Sequence, residues 1–259
     1  MSPLETPDVA AEPPSSLPPL RALAPGAPLR WLAAGWRDFR RCPAIGLFYG
    51  ACFVVMGWLL LLVFEQAPAW TLALSAGFLL MGPFLCLGLY RASQVLEAGA
   101  KPALVDSLLA WRARSGQMAI FGFVLLVLEM LWGRATLVVF ALSFDGMPDF
   151  RGSLLALLQP ANLGFIAAWA AVGAVFAALI YAISAVSIPM ILHRRTDAIS
   201  AGLTSVRLVL GQPLVMALWA GLIVVIVGLA LLPGFLGLLV AAPLVGHASW
   251  HAYRDAVAD

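Results

Sequence analysis

Two histidines, His247 and His251, stand four residues apart in "LLVAAPLVGHASWHAYRDAVAD". That spacing puts both on one helix face, a permissible geometry for two metal ligands. His193, in "IPMILHRRTD", is the remaining histidine, and a three-histidine cluster is conceivable if the fold joins the two stretches. A zinc site takes three or four ligands, and a haem in a helical bundle takes axial histidines from facing helices. The pair alone completes neither set. Trp250, Tyr253 and Arg254 surround it, and Trp, Tyr and Arg collect where membrane helices meet water. The expectation is therefore a pair of boundary residues, with His247, His251 and His193 as weak candidates for a metal or haem site. Proton handling ranks beside these, because imidazole titrates near neutrality.

Glu129 is the other chemically loaded residue. It lies in the apolar run Gln117–Leu142, about 18 Å from Gln117 at 1.5 Å per helical residue. An ionised carboxylate at that depth is expensive, so it should face the bundle interior or be neutral. Tyr181, Ser184 and Ser187 supply further polar groups within an apolar run, and with Glu129 they are the candidates for a transport pathway. Arg134 is near enough to the outer end of its run to snorkel. Cys42, Cys52 and Cys86 show no metal spacing and are an odd number, which reads as small packing residues. There is no GxSxG, HExxH or GxxxxGK[ST], and no carboxylate pair within an apolar run. No enzyme and no resident cofactor are expected.

The elements that must position these groups are membrane helices. Of the 259 residues, 63% are hydrophobic and only 11% charged, and the mean hydropathy is +0.97. Soluble domains carry about a quarter charged residues. A bilayer core of about 30 Å needs about 20 apolar residues per helix. Six runs approach that length: Pro43–Phe64, Trp70–Leu89, Gln117–Leu142, Leu163–Leu192, Pro213–Leu232 and Gly234–Trp250. The last two meet at Leu232-Pro233-Gly234, a turn between antiparallel spans. Residues 1–28, rich in proline, read as a disordered tail with no cleavable leader, residues 29–254 as the membrane domain and residues 255–259 as a short tail.

Arginine and lysine orient the chain. Arg21, Arg30, Arg37, Arg40 and Arg41 precede the first run; Arg91, Lys101, Arg112 and Arg114 separate the second and third. Arg194, Arg195 and Arg207 separate the fourth and fifth, and Arg254 follows the sixth. Only Arg134 and Arg151 fall on the other side. By the positive-inside rule both termini are expected in the cytoplasm, with the protein in a bacterial inner membrane.

The chain also repeats itself. "KPALVDSLLAWRARSGQMAIFG" aligns without a gap on "TDAISAGLTSVRLVLGQPLVMA", so that Arg112, Gly116 and Gln117 fall on Arg207, Gly211 and Gln212. "RWLAAGWRDFRRCPAIG" joins them, with Arg37 on Arg112 and Pro43 on Pro213. Each unit opens with a basic amphipathic stretch. Leu29, Leu32, Trp36 and Phe39 alternate with Arg30, Arg37, Arg40 and Arg41, while Leu104, Leu108 and Trp111 precede Arg112. Ile199, Leu203 and Val206 precede Arg207. Such helices lie at the interface and attract anionic headgroups, so the bilayer itself is the expected partner. Each returning run carries a proline near its basic end, Pro83, Pro189 and Pro243, and these are candidate hinges. The expected architecture is all-α: six transmembrane helices as three hairpins, each preceded by a cytoplasmic amphipathic helix, around a pseudo-threefold axis.

The external connection "DGMPDFRGSLLALLQPANLG" contains Leu154, Leu155, Leu157 and Leu158, which suit a short helix on the outer leaflet or, less simply, a lid. Finally, "GHASWHAYRD", "MGPFLCLGLYRASQVLEAG", "LTSVR" and "GWRDFRRCPAIGLFYG" together resemble the DUF2189 family of bacterial integral membrane proteins. The resemblance implies a six-span inner-membrane protein and carries no activity or ligand. The leading expectation is a structural, accessory or assembly factor. A small transporter or channel near Glu129 is the alternative, and a haem or metal binder the weaker one.

Overall fold

The computed structural model describes residues 17–66, 71–143 and 163–258. Residues 1–16 of the expected tail and the whole expected outer-leaflet helix, Leu154 to Leu158, lie outside them. Every element among the described residues is helical, apart from one isolated antiparallel bridge between Leu20 and Val257. In order these are α1 (Ala27–Arg41), α2 (Pro43–Gln66), α3 (Thr71–Glu97), α4 (Leu104–Leu108), a 3-10 turn (Ala110–Arg114) and α5 (Ser115–Ser143). There follow α6 (Leu163–Ser184), α7 (Ser187–Arg194), α8 (Ala198–Gly211), α9 (Pro213–Leu231) and α10 (Leu238–Ala256).

Among the described residues, four stretches are long and apolar enough to cross a membrane: Pro43–Gln66, Leu104–Ser143, Leu163–Arg194 and Pro213–Leu231. Their outward faces carry large exposed apolar side chains, among them Val55, Trp58 and Leu62 on α2, Phe123 and Met130 on α5, and Val224 and Leu229 on α9. A soluble protein buries such side chains, whereas hydrocarbon solvates them. Neither α3 nor α10 is among the four. The expected sixth span, Gly234–Trp250, is shifted as a helix, beginning at Leu238 and running on to Ala256, because residues before Leu238 form a turn in which Gly234 and Phe235 both have positive φ (62° and 69°).

The helix α10 is instead the packing centre, touching α1, α2, α3, α7 and α9. Its fit depends on close backbone approach. A Cβ on Gly50 of α2 would lie 2.4 Å from the Leu239 carbonyl oxygen, and one on Gly35 of α1 would lie 2.7 Å from the Ala248 nitrogen. Small residues allow this approach where membrane helices pack by contact.

The structure adds detail to several expectations. The tail does not run loose to residue 28. The Arg21 N–H donates to the Ala256 carbonyl at 2.9 Å and the Ala258 N–H to that of Pro19 at 3.0 Å, while Gln212 holds Leu23 and Arg21. In the first amphipathic helix Trp31, Ala34, Gly35, Asp38 and Phe39 are buried, while Leu29 and Trp36 are exposed. The second is a five-residue helix followed by a 3-10 turn. The three prolines also differ, since Pro83 and Pro243 lie inside continuous helices and Pro189 lies in α7, just after the break between α6 and α7.

Candidate functional site

The basic end of the bundle is closed by the last three turns of α10, where successive side chains reach different helices. His247 is fully buried at 0% exposure, and its Nδ1 lies 2.7 Å from the Ser93 hydroxyl of α3. His251 Nε2 lies 2.8 Å from Asp38 Oδ2 of α1. The other ring nitrogen of His247, Nε2, faces the Cys42 thiol, 4.0 Å away. His251 thus bonds the Asp38 carboxylate of α1, while His247 bonds Ser93 of α3.

The remaining residues of α10 continue the pattern. Trp250 Nε1 donates to Glu97 at 2.9 Å and Arg254 Nε donates to the same carboxylate at 3.0 Å. The Tyr253 hydroxyl lies 2.8 Å from His193 Nδ1 and accepts from Arg194 Nε at 3.0 Å. Asp255 accepts from Trp31 Nε1 at 2.9 Å and from Arg30 at 3.2 Å. His193 therefore sits against Trp250 and Tyr253, edge-on to both rings, and bonds Tyr253, whereas His247 and His251 bond Ser93 and Asp38. Among the described residues no group of three or more His, Cys, Asp and Glu could hold a metal ion. His247 is a buried link between α10 and α3.

Asp38 is only 6% exposed. Burial pushes its carboxyl upward, but the hydrogen bonds from His251 and Ser93, together with the charges of His251 and His247, outweigh this and hold it below the usual carboxylate value. Burial, and then the Asp38 charge, pushes the Cys42 thiol up to about 11. A thiol so placed is a poor nucleophile. At the start of α8, Asp197 caps the helix by accepting from the Ile199 and Ser200 backbone N–H groups at 3.0 and 2.8 Å.

The other expected pathway residues each donate to a backbone carbonyl. Tyr181 donates to the Met216 carbonyl at 2.8 Å, Ser184 to that of Ile180 at 2.6 Å, and Ser187 to that of Ile183. Glu129 is buried on α5, as its cost in lipid requires, and its Oε2 has no hydrogen-bond partner among the described residues. Trp132 Nε1 and Thr136 Oγ1 are likewise buried and unpartnered. Positions 129, 132 and 136 share one helix face. Asp38, Ser93 and Glu97 were not singled out in the sequence. The available signal for Asp38 was its place on the Trp31 and Gly35 face of α1.

Apolar helices with lipid-suited flanks, closed at one end by a junction of buried polar links, define an integral membrane protein. Over residues 71–193 the chain matches the family described as "Predicted integral membrane protein (DUF2189)". That stretch contains the "MGPFLCLGLYRASQVLEAG" segment and ends at His193, whereas "GWRDFRRCPAIGLFYG", "LTSVR" and "GHASWHAYRD" lie outside it. No curated protein and no solved structure matches the chain.

Proposed function

We propose that this protein acts by association within the membrane, as a structural, accessory or assembly factor with no catalytic step of its own. The observation that carries this is the α10 junction, where His247, His251, Trp250, Tyr253, Arg254 and Asp255 each bond a residue of another helix. At this junction the histidines and carboxylates are engaged in holding helices together, and the outward faces of α2, α5 and α9 carry large apolar side chains. Six spans, three hairpins and a pseudo-threefold arrangement are part of this reading. It is supported by matching backbone angles where a surface helix meets the next span, −133° and 58° at Cys42, −135° and 57° at Gln212. The concentration of arginines at one end supports cytoplasmic termini in a bacterial inner membrane. Exposed apolar residues beside arginines, Leu104, Leu108 and Trp111 with Arg112 and Ile199 and Leu203 with Arg207, suit surface helices on anionic headgroups.

The test is photocrosslinking in native membranes from a probe at Val175 or Val224, both strongly exposed. A discrete protein adduct from one face supports the reading, and adducts to lipid alone from both faces contradict it. A second reading, a small transporter, is favoured by the unpartnered stripe of Glu129, Trp132 and Thr136. Proton flux into proteoliposomes, abolished by Glu129→Gln, would favour it over the first.

A further inference from the structure

A cavity of about 690 Å³ opens between α3, α4, the 3-10 turn and α7, at the arginine-rich end of the bundle, with His193 between it and the α10 links. Three arginines line it from three elements: Arg91 on α3, Arg114 on the 3-10 turn and Arg195 after α7. Asp106, Gln94 and His193 complete the polar wall. Two nitrogens of the Arg114 guanidinium, Nε and Nη2, are buried and have no hydrogen-bond partner among the described residues. Buried donors normally have an acceptor, and a guanidinium left without one is costly. Arg91 is steadied by Gln94, donating to its side-chain oxygen at 2.8 Å. Arg195 is held at φ 57°, the left-handed region unfavourable for a residue with a Cβ. Three guanidiniums against one carboxylate leave an excess of positive charge around a space large enough for a small ligand.

We propose that this cavity binds a phosphate group, with Arg114 as the buried anchor and Arg91 and Arg195 at its sides. The guanidinium fork matches phosphate oxygens in paired hydrogen bonds. Asp106, which cannot donate to phosphate when ionised, suits a hydroxyl on the group esterified to it. The same chemistry is offered by a soluble phosphate and by the phosphodiester of a lipid headgroup, and the position at the membrane end of α5 admits both.

Full-length protein in neutral detergent is titrated with inorganic phosphate by calorimetry, against chloride at matched ionic strength. In parallel, protein from vesicles of phosphatidylglycerol in phosphatidylcholine is delipidated, and retained phosphatidylglycerol is counted by native mass spectrometry. Wild type binds in one arm or both, and Arg114→Gln weakens that binding by about tenfold or more, the loss expected for a charge-assisted pair. Phosphate binding identifies a soluble source, and retention of the lipid alone identifies a headgroup. Should Arg114→Gln fail to fold, the pair Arg91→Gln and Arg195→Gln is expected to weaken binding in the same direction. Absence of binding above chloride and phosphatidylcholine in both arms, or unchanged binding in a folded variant, overturns the proposal.

Discussion

Gln117 Oε1 accepts the backbone N–H of Ala198 at 2.8 Å, and Gln212 Oε1 accepts that of Leu23 at 2.6 Å. These glutamines occupy the same place in the sequence repeat, and each fastens the segment leading into a different unit's surface helix. Two more contacts run in the same cyclic sense. The Tyr49 hydroxyl of the first unit meets Ser107 of the second at 2.6 Å, while Trp219 of the third meets Trp31 of the first, edge to face at 5.5 Å. Tyr49 and Trp219 each stand six residues beyond the proline that opens their helix, Pro43 and Pro213. Each of these contacts joins one of the three aligned stretches, or the residues flanking it, to another. Gln212→Ala should loosen the Leu23 segment at a cost of about 1 kcal/mol. Hydrogen exchange would show this as faster exchange at Leu23, with Ala198 unaffected; Gln117→Ala should give the reverse.

The histidine links predict a stability effect with a distinctive partner dependence. His247→Ala leaves the buried Ser93 hydroxyl one partner short and should cost about 1–3 kcal/mol. In a Ser93→Ala background the same change should cost less. Equal losses in both backgrounds, measured by thermal unfolding in detergent, would mean that the 2.7 Å contact contributes no coupling.

Asp38 predicts the acid limb of stability. Its carboxyl lies below the ordinary 3.8 in the folded protein, so the folded state binds fewer protons than the unfolded one as pH falls. The stabilisation is fully present above pH 3.8 and is lost as pH drops through the lowered native value. The difference in melting temperature between wild type and Asp38→Asn should therefore be constant near neutrality and shrink below that value.

Cys42 should be slow to react. With its thiol pushed up to about 11 and its side chain buried, a protein retaining Cys42 alone should resist maleimide at neutral pH until unfolded. Rapid labelling of the folded protein would place the thiol elsewhere.

Close helix contact predicts intolerance at Gly50. A methyl group there meets the α10 backbone at Leu239 rather than a flexible side-chain end. Gly50→Ala should cost about 1–3 kcal/mol by overpacking, whereas Gly221→Ala, with open space around it, should be neutral or stabilising. Thermal unfolding of the two variants checks the contrast.

Much of the helical layout was legible because lipid imposes long apolar runs whose ends arginine and proline mark. Pro43 and Pro213 open α2 and α9 where the sequence places them. The polar hub in the second half of the last helix was not legible, because its links form only where α1, α3 and α7 cover it. Asp38 was hidden for the opposite reason. Set among Arg37, Arg40 and Arg41, it looks like a solvated charge, yet the helix turns it inward while those arginines stay exposed. Burial of a single polar residue depends on which partner helix covers it, and composition does not carry that information. The cavity at Arg114 escaped notice likewise, since Arg91, Arg114 and Arg195 are far apart in sequence and meet only through packing.

The decisive measurement is an absorption spectrum with elemental analysis of detergent-purified wild type, beside the protein with His247 and His251 both changed to alanine. If the histidines link helices through Asp38 and Ser93, the wild type is colourless and free of stoichiometric metal, and the variant differs only by a lower melting temperature. A Soret band or a stoichiometric metal that disappears in the variant would contradict this and make the pair a cofactor site.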